Sequence, residues 1–307
     1  VTTVNTKISK RTIIRIVILL VILMAIALGP FNGLAVLRGE IDKGTYRSQM
    51  QYFGFVMAIL TKYFVPALFC RLCIEYYKNS LVKNKLGLDK YFYLSVVIVL
   101  VIGLTFGSKA TGVFILICGL IVLFWRKNIA IAILALGVPA ILLIFFSAYL
   151  FDSFIEDTSI GGIGSFILFR SFVLTAEAPW KVWDLYIAGS IPFDYPKTLA
   201  QFLGGFLISI FFGIGKFDAT AYQYDFAKSV TALLYPNQLD VINSGEWNLT
   251  PTAYVEGILA LGVFGIVLFG IIAGIILGKL KKSISFNITK GRYSKASVLI
   301  VYFVFAF

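Results

Sequence analysis

The chain has 307 residues, of which 59% are hydrophobic and only 14% charged, and it carries a formal net charge of +12. A soluble domain of this size needs far more charge on its surface, and several apolar runs of about 18 or more residues are long enough to cross a bilayer core of about 30 Å. The composition excludes an ordinary soluble domain and predicts an all-α polytopic membrane protein. In that setting the surplus Lys and Arg holds loops on the cytoplasmic side and does not signal nucleic acid.

Taken in order, the apolar runs predict spans near 12–37, 51–74, 91–107, 111–125, 129–151 and 252–278, with a seventh beginning at 296. The runs 91–107 and 111–125 are separated only by "GSKA", which predicts a helical hairpin. With the N-terminus inside, the basic clusters sort to one face: Lys7, Lys10, Arg11 and Arg15, then Lys78, Lys83, Lys85 and Lys90. Arg126 and Lys127 follow, and then Lys279, Lys281, Lys282, Lys290, Arg292 and Lys295. Of the fifteen acids only Glu75 and Asp89 fall inside and thirteen fall outside. Inverting the topology exposes every basic cluster, so it is rejected.

The segment 198–217, "TLAQFLGGFLISIFFGIGKF", is the test of this scheme. As a span it would flip everything after it; its glycines and polar flanks predict instead an interfacial or re-entrant element. The consequence is a large external region, 152–251, between the fifth and sixth spans, rich in aromatic residues and acids. Loops of that length carry function more often than packing. Nothing repeats, so residues 1–307 read as one multi-pass domain. The chain opens without methionine and stops inside an apolar run, and it is expected to belong to a longer protein.

Metal and thiol chemistry find little footing. There is no histidine, and the C-x-x-C of Cys70 and Cys73 has no second pair to complete a zinc site. Asp152, Glu156 and Asp157 cluster in "FDSFIED" without a D-x-D. No cofactor and no metal are expected.

Three constellations carry candidate chemistry. Thr250 before Pro251 reads as a helix N-cap and first turn, which places Glu256 about one and a half turns inside the span that follows. A carboxylate there costs about 2.5–3.5 kcal/mol on insertion scales, so it should face a wet cavity or a cation, unless it snorkels to the helix end. Gly270, Gly274 and Gly278 then recur every fourth residue, a spacing that predicts close helix contact. In "SFILFRSFVLTAEAPWKVWDLY" Arg170 and Glu177 share one helical face two turns apart, and Pro179 leaves open whether that face extends to Lys181 and Asp184. Arg170 among Phe, Ile and Leu suits a phosphate, which its planar fork binds bidentately, or else snorkels to lipid headgroups. Lys109, at the tip of the predicted hairpin, either meets a phosphate or anchors the turn. Lys62, mid-span, is a weaker candidate for the same cavity. The N-L-T at 248–250 is a poor glycosylation sequon because proline follows.

At these residues the chain resembles the oligosaccharide repeat-unit polymerases, the O-antigen polymerase (Wzy) family. The resemblance rests on "GSKATG", on "RSFVLTAE" at 170–177, and on "NLTPTAYVEGILALGVFG" at 248–265. Lys109 stands where family members often have arginine. The resemblance implies joining of polyprenyl-diphosphate-linked glycans into a surface polysaccharide at the outer face of the bacterial cytoplasmic membrane, beside membrane lipids and a chain-length regulator. It implies a metal-independent glycosyltransferase in which Arg170, then Lys109, holds the leaving diphosphate. Glu256 or Glu177 takes the acceptor proton. Trp180 and Trp183 stack sugars or anchor at the interface, and Asn248, Thr250 and Tyr254 line the substrate site. Two alternatives stand beside this reading. One is a ligase or other lipid-linked glycosyltransferase, for which the expected outer-loop histidine is missing. The other is a flippase or transporter of lipid-linked oligosaccharide, for which no internal repeat is present.

Overall fold

The computed structural model describes residues 9–38, 40–41, 56, 59–83, 88–105, 109–124, 138–139, 141–142, 160–168, 175–190, 226–240 and 253–305. Among the described residues there is helix and no strand. Two helices, Lys10–Leu28 and Leu261–Thr289, are long and apolar enough to cross a membrane, and Lys90–Thr105, Gly112–Leu123 and Tyr293–Val304 are shorter apolar helices. The expected span 129–151 and the segment 198–217 lie almost wholly outside the described residues. Where the sequence shows no boundary, the chain divides into two compact units, Val1–Gly164 with Leu277–Phe307, and Ser165–Ile276.

The first unit is a helical bundle. Its helix α1 (Lys10–Leu28) starts at Ser9, whose hydroxyl accepts from the Thr12 amide at 3.2 Å. The expected first span, 12–37, is interrupted by Gly29, Pro30 and Asn32. Pro30 disfavours helix at Gly29, and Asn32 turns the chain in the left-handed region (φ 55°) before a short α2 (Gly33–Leu37). In the expected second span, 51–74, a π-helical turn, Leu60–Phe64, carries Lys62 and leads into α3 (Val65–Lys83), which runs well beyond the expected end at 74. The helices α4 (Lys90–Thr105) and α5 (Lys109–Phe124) pack side by side.

Asp89 caps α4. Its Oδ1 accepts from the amides of Tyr91 at 3.0 Å and Phe92 at 3.2 Å, and also from the Tyr76 hydroxyl of α3. That side chain therefore starts one helix and ties it to the one before. Helix α3 is the centre of the bundle: Phe69, Cys70, Leu72, Cys73 and Ile74 are all fully buried. Gly119 of α5 allows the close approach, since a Cβ there would stand 2.5 Å from Phe69 Cε1 and 2.9 Å from Cys73 Sγ. The three cysteines are free and buried, and they serve as small core residues.

The boundary falls inside α6 (Ile160–Leu168), and α7 (Thr175–Ile187) and α8 (Phe226–Leu234) follow in the second unit. The last long helix, α9 (Ala253–Thr289), is broken inside by Leu261 (φ −143°, ψ 18°) and Gly262 (φ 63°, ψ −147°). Its last turns, and α10 (Tyr293–Phe305), belong to the first unit.

Candidate functional site

The expectation for Glu256 was a position inside the span that follows Pro251. The structure revises this. Residues 253–260 form a short helix of their own, and the apolar helix long enough to span begins at Leu261. The break folds the short helix back on the long one: a Cβ at Gly257 would meet Ile266 N at 2.9 Å, and one at Gly265 would collide with the Gly257 carbonyl. A side chain at either position would force the two backbones apart. The turn needs a glycine for two reasons. Position 262 has a positive φ, and the Tyr186 hydroxyl lies 2.6 Å from where its Cβ would be. At the glycines expected to make close contact, Gly270, Gly274 and Gly278, an added Cβ would meet nothing within 4 Å among the described residues.

Helix α7 holds Glu177 in its first turn and runs straight through Pro179. Proline is tolerated there because its missing N–H would have reached only the first residue of the helix, so the loss is a single bond at the frayed end. Because the helix continues, Lys181 falls one turn below Glu177 and pairs with it, Nζ to Oε1 at 2.5 Å. The same ammonium lies 5.2 Å from the Tyr235 ring centroid. The hydrogen bond to Glu177, opposed by partial desolvation and reinforced by Tyr235, holds Lys181 above the ordinary lysine range. The face left open at Pro179 thus extends to Lys181. Tyr235 had no signal in the sequence, because nothing in a helix period links it to α7.

The other half of α7 faces a small core. Val182, Val230, Val255 and Ile258 are buried together, with Trp183, Leu185, Tyr186, Leu233, Leu259 and Ile266 packed around them. The motif that carries Glu177 and the motif that carries Glu256 therefore meet through Val182 on one side and Val255 and Ile258 on the other. The two tryptophans differ. Trp180 is 67% exposed, whereas Trp183 packs in this core with its ring 5.8 Å from that of Tyr186.

Arg170, Asn248 and Thr250 lie outside the described residues, as do Asp152, Glu156 and Asp157. Of Tyr254 and Glu256 the backbone is described, at the start of α9. Lys109 is the first residue of α5 and belongs to the first unit. Among the described residues no group of three or more Cys, Asp or Glu side chains is placed to hold a metal. Comparison with protein-family models, with curated proteins and with solved structures finds no match.

Proposed function

We propose that the protein polymerises polyprenyl-diphosphate-linked oligosaccharide repeat units at the outer face of the bacterial cytoplasmic membrane. In this reading it is a multi-pass protein of about seven spans with its N-terminus in the cytoplasm, and 152–251 is external. The exposure of the long helix supports the membrane setting: only 11% of its apolar window is buried, which would leave a soluble protein with a large bare apolar surface. The observation that carries the site is the shared core of the Glu177 helix and the Glu256 helix. Two motifs that are distant in the chain, both named by the resemblance, lie in one compact unit.

The chemistry follows from what the reaction requires. A sugar hydroxyl of the incoming unit attacks the anomeric carbon of the growing chain; its proton passes to a carboxylate, and the bond to the diphosphate breaks. With no histidine in the chain, a carboxylate is the natural base. Glu256 takes that role ahead of Glu177, whose Oε1 is engaged by Lys181. Arg170 holds the departing diphosphate through its bidentate fork, and Lys181 adds a second cation in the same unit. The exposed ring of Trp180 offers a sugar-stacking surface, while Asn248, Thr250 and Tyr254 flank the base. A chain-length regulator is the expected protein partner.

The test is the glycan profile of cells carrying Glu256→Gln. Loss of a general base lowers the rate by about 10²–10⁴-fold, so single repeat units on polyprenyl diphosphate should accumulate where an external glycosidase can reach them. Normal long chains would remove Glu256 from the mechanism. Single units protected inside the cell would point to a transporter, and long polymer left unattached would point to a ligase.

A further inference from the structure

The basic end of the first unit contains a buried charge cluster that the reading above does not use. Arg71, Glu75 and Lys78 lie on one face of α3. Glu75 is almost wholly buried; its Oε1 is 2.5 Å from Arg71 Nη1 and its Oε2 is 2.9 Å from Lys78 Nζ. Tyr293, at the start of α10, lies across both cations. Its ring centroid is 5.1 Å from Arg71 Cζ and 4.6 Å from Lys78 Nζ.

Two accounts of this cluster fail to close. The first is charge: among the described residues two cations share one carboxylate, leaving +1 where Lys78 is 6% and Tyr293 8% exposed. The other described acid at this end, Asp89, is already engaged by the Tyr76 hydroxyl and two helix amides. The second is hydrogen bonding. Among the described residues the Tyr293 hydroxyl is buried with no hydrogen-bond partner, and Arg71 Nη1, though at ion-pair distance, is not aligned for a hydrogen bond. Lys78 carries three donors and Arg71 five, and Glu75 has one oxygen for each. The cluster therefore has surplus donors and surplus positive charge. A buried donor left unmade costs about 1–3 kcal/mol, and π faces offset only part of an unpaired charge. One missing group answers both deficits: an oxyanion with several acceptor atoms and one negative charge.

We propose that Arg71, Lys78 and the Tyr293 hydroxyl form a binding site for a single phosphate group, supplied by the headgroup of an anionic phospholipid at the basic end of the bundle. Arg71, the most exposed of the three at 18% of its side chain, forms the entrance. Exposed Lys10, Arg11, Lys90, Lys290 and Arg292, at the starts of α1 and α4 and between α9 and α10, draw anionic headgroups towards the cluster. The site is independent of the polymerase reading, because it lies in the first unit and uses none of the residues assigned to the reaction.

The experiment melts the full chain in bilayer discs of neutral phospholipid, in discs containing anionic phosphatidylglycerol, and in neutral discs with added inorganic phosphate. Wild type should gain about 3 °C or more from the anionic lipid. Tyr293→Phe keeps the ring over both cations and removes only the hydroxyl, and it should lose most of that gain. Lys78→Met leaves Arg71 and Glu75 as a neutral pair, and it should fold and lose the gain altogether. Lys290→Met removes one exposed charge from the same end and should keep it. A gain from inorganic phosphate in neutral discs, lost in the same two variants, would keep the oxyanion site and make its source soluble. Equal gains in all four proteins would overturn the proposal and leave only diffuse attraction between the basic end and the lipid.

Discussion

Glu75 and Glu177 make the same pairing in opposite surroundings. Each is on a helix, each has a lysine within one turn, and each of those lysines lies over a tyrosine ring from a different helix or loop. Glu75 is buried in the first unit and takes a second cation, Arg71; Glu177 is one-third exposed and has one partner among the described residues. The difference is one of consequence. Glu75 itself is almost wholly shielded from solvent, so a missing partner has a large effect. Around Glu177 solvent screens the pair and can replace either member. The first arrangement holds a fold in place, and the second is free to exchange partners.

Removing the buried carboxylate gives the largest expected effect. Glu75→Leu strands the buried Lys78 and the partly buried Arg71 and should destabilise the protein by about 3–5 kcal/mol, read as a large drop in melting temperature in detergent. A small drop would mean that water reaches this cluster and that the contrast with Glu177 is false.

The next effect sharpens the comparison within the second unit, whose order comes from backbone approach and a small core. Gly265→Ala places a methyl group against the Gly257 carbonyl and should cost about 1–3 kcal/mol, as overpacking does. Gly274→Ala, on the same helix, meets nothing within 4 Å and should be neutral or slightly stabilising. Equal losses at the two positions would show that the Gly274 stripe, and not the reversal at Gly262, makes the close contact, by way of a second chain.

The smallest effect belongs to the exposed pair. Glu177→Gln should leave the melting temperature within the scatter of the measurement. Lys181 is held above its ordinary range chiefly by its hydrogen bond to Glu177. With the carboxylate replaced by a neutral and weaker acceptor, it loses its proton at lower pH, so its amine should react faster with an acylating reagent under mildly alkaline conditions. Unchanged reactivity would mean that Tyr235, not Glu177, controls the lysine.

The sequence by itself determined that the described chain is helical, and it located α4 and α5 to within two residues, because apolar run length is a property of the chain alone. It also singled out Glu75 and Asp89 as the two acids on the basic side, and both prove to be tied into the bundle. Tertiary structure decided the rest. Hydropathy sums to one long run across 252–278, since Leu261 and Gly262 are as apolar as a continuous helix needs; only the packing of Tyr186 on Gly262 and of Gly257 on Gly265 reveals that the chain turns there. Likewise the partners of Lys181 and Lys78 on other elements, Tyr235 and Tyr293, have no periodic relation to them. A helix period fixes which residues share a face, but which second helix covers that face depends on how the whole chain packs, and that is where Glu256 was parted from the span it had seemed to enter.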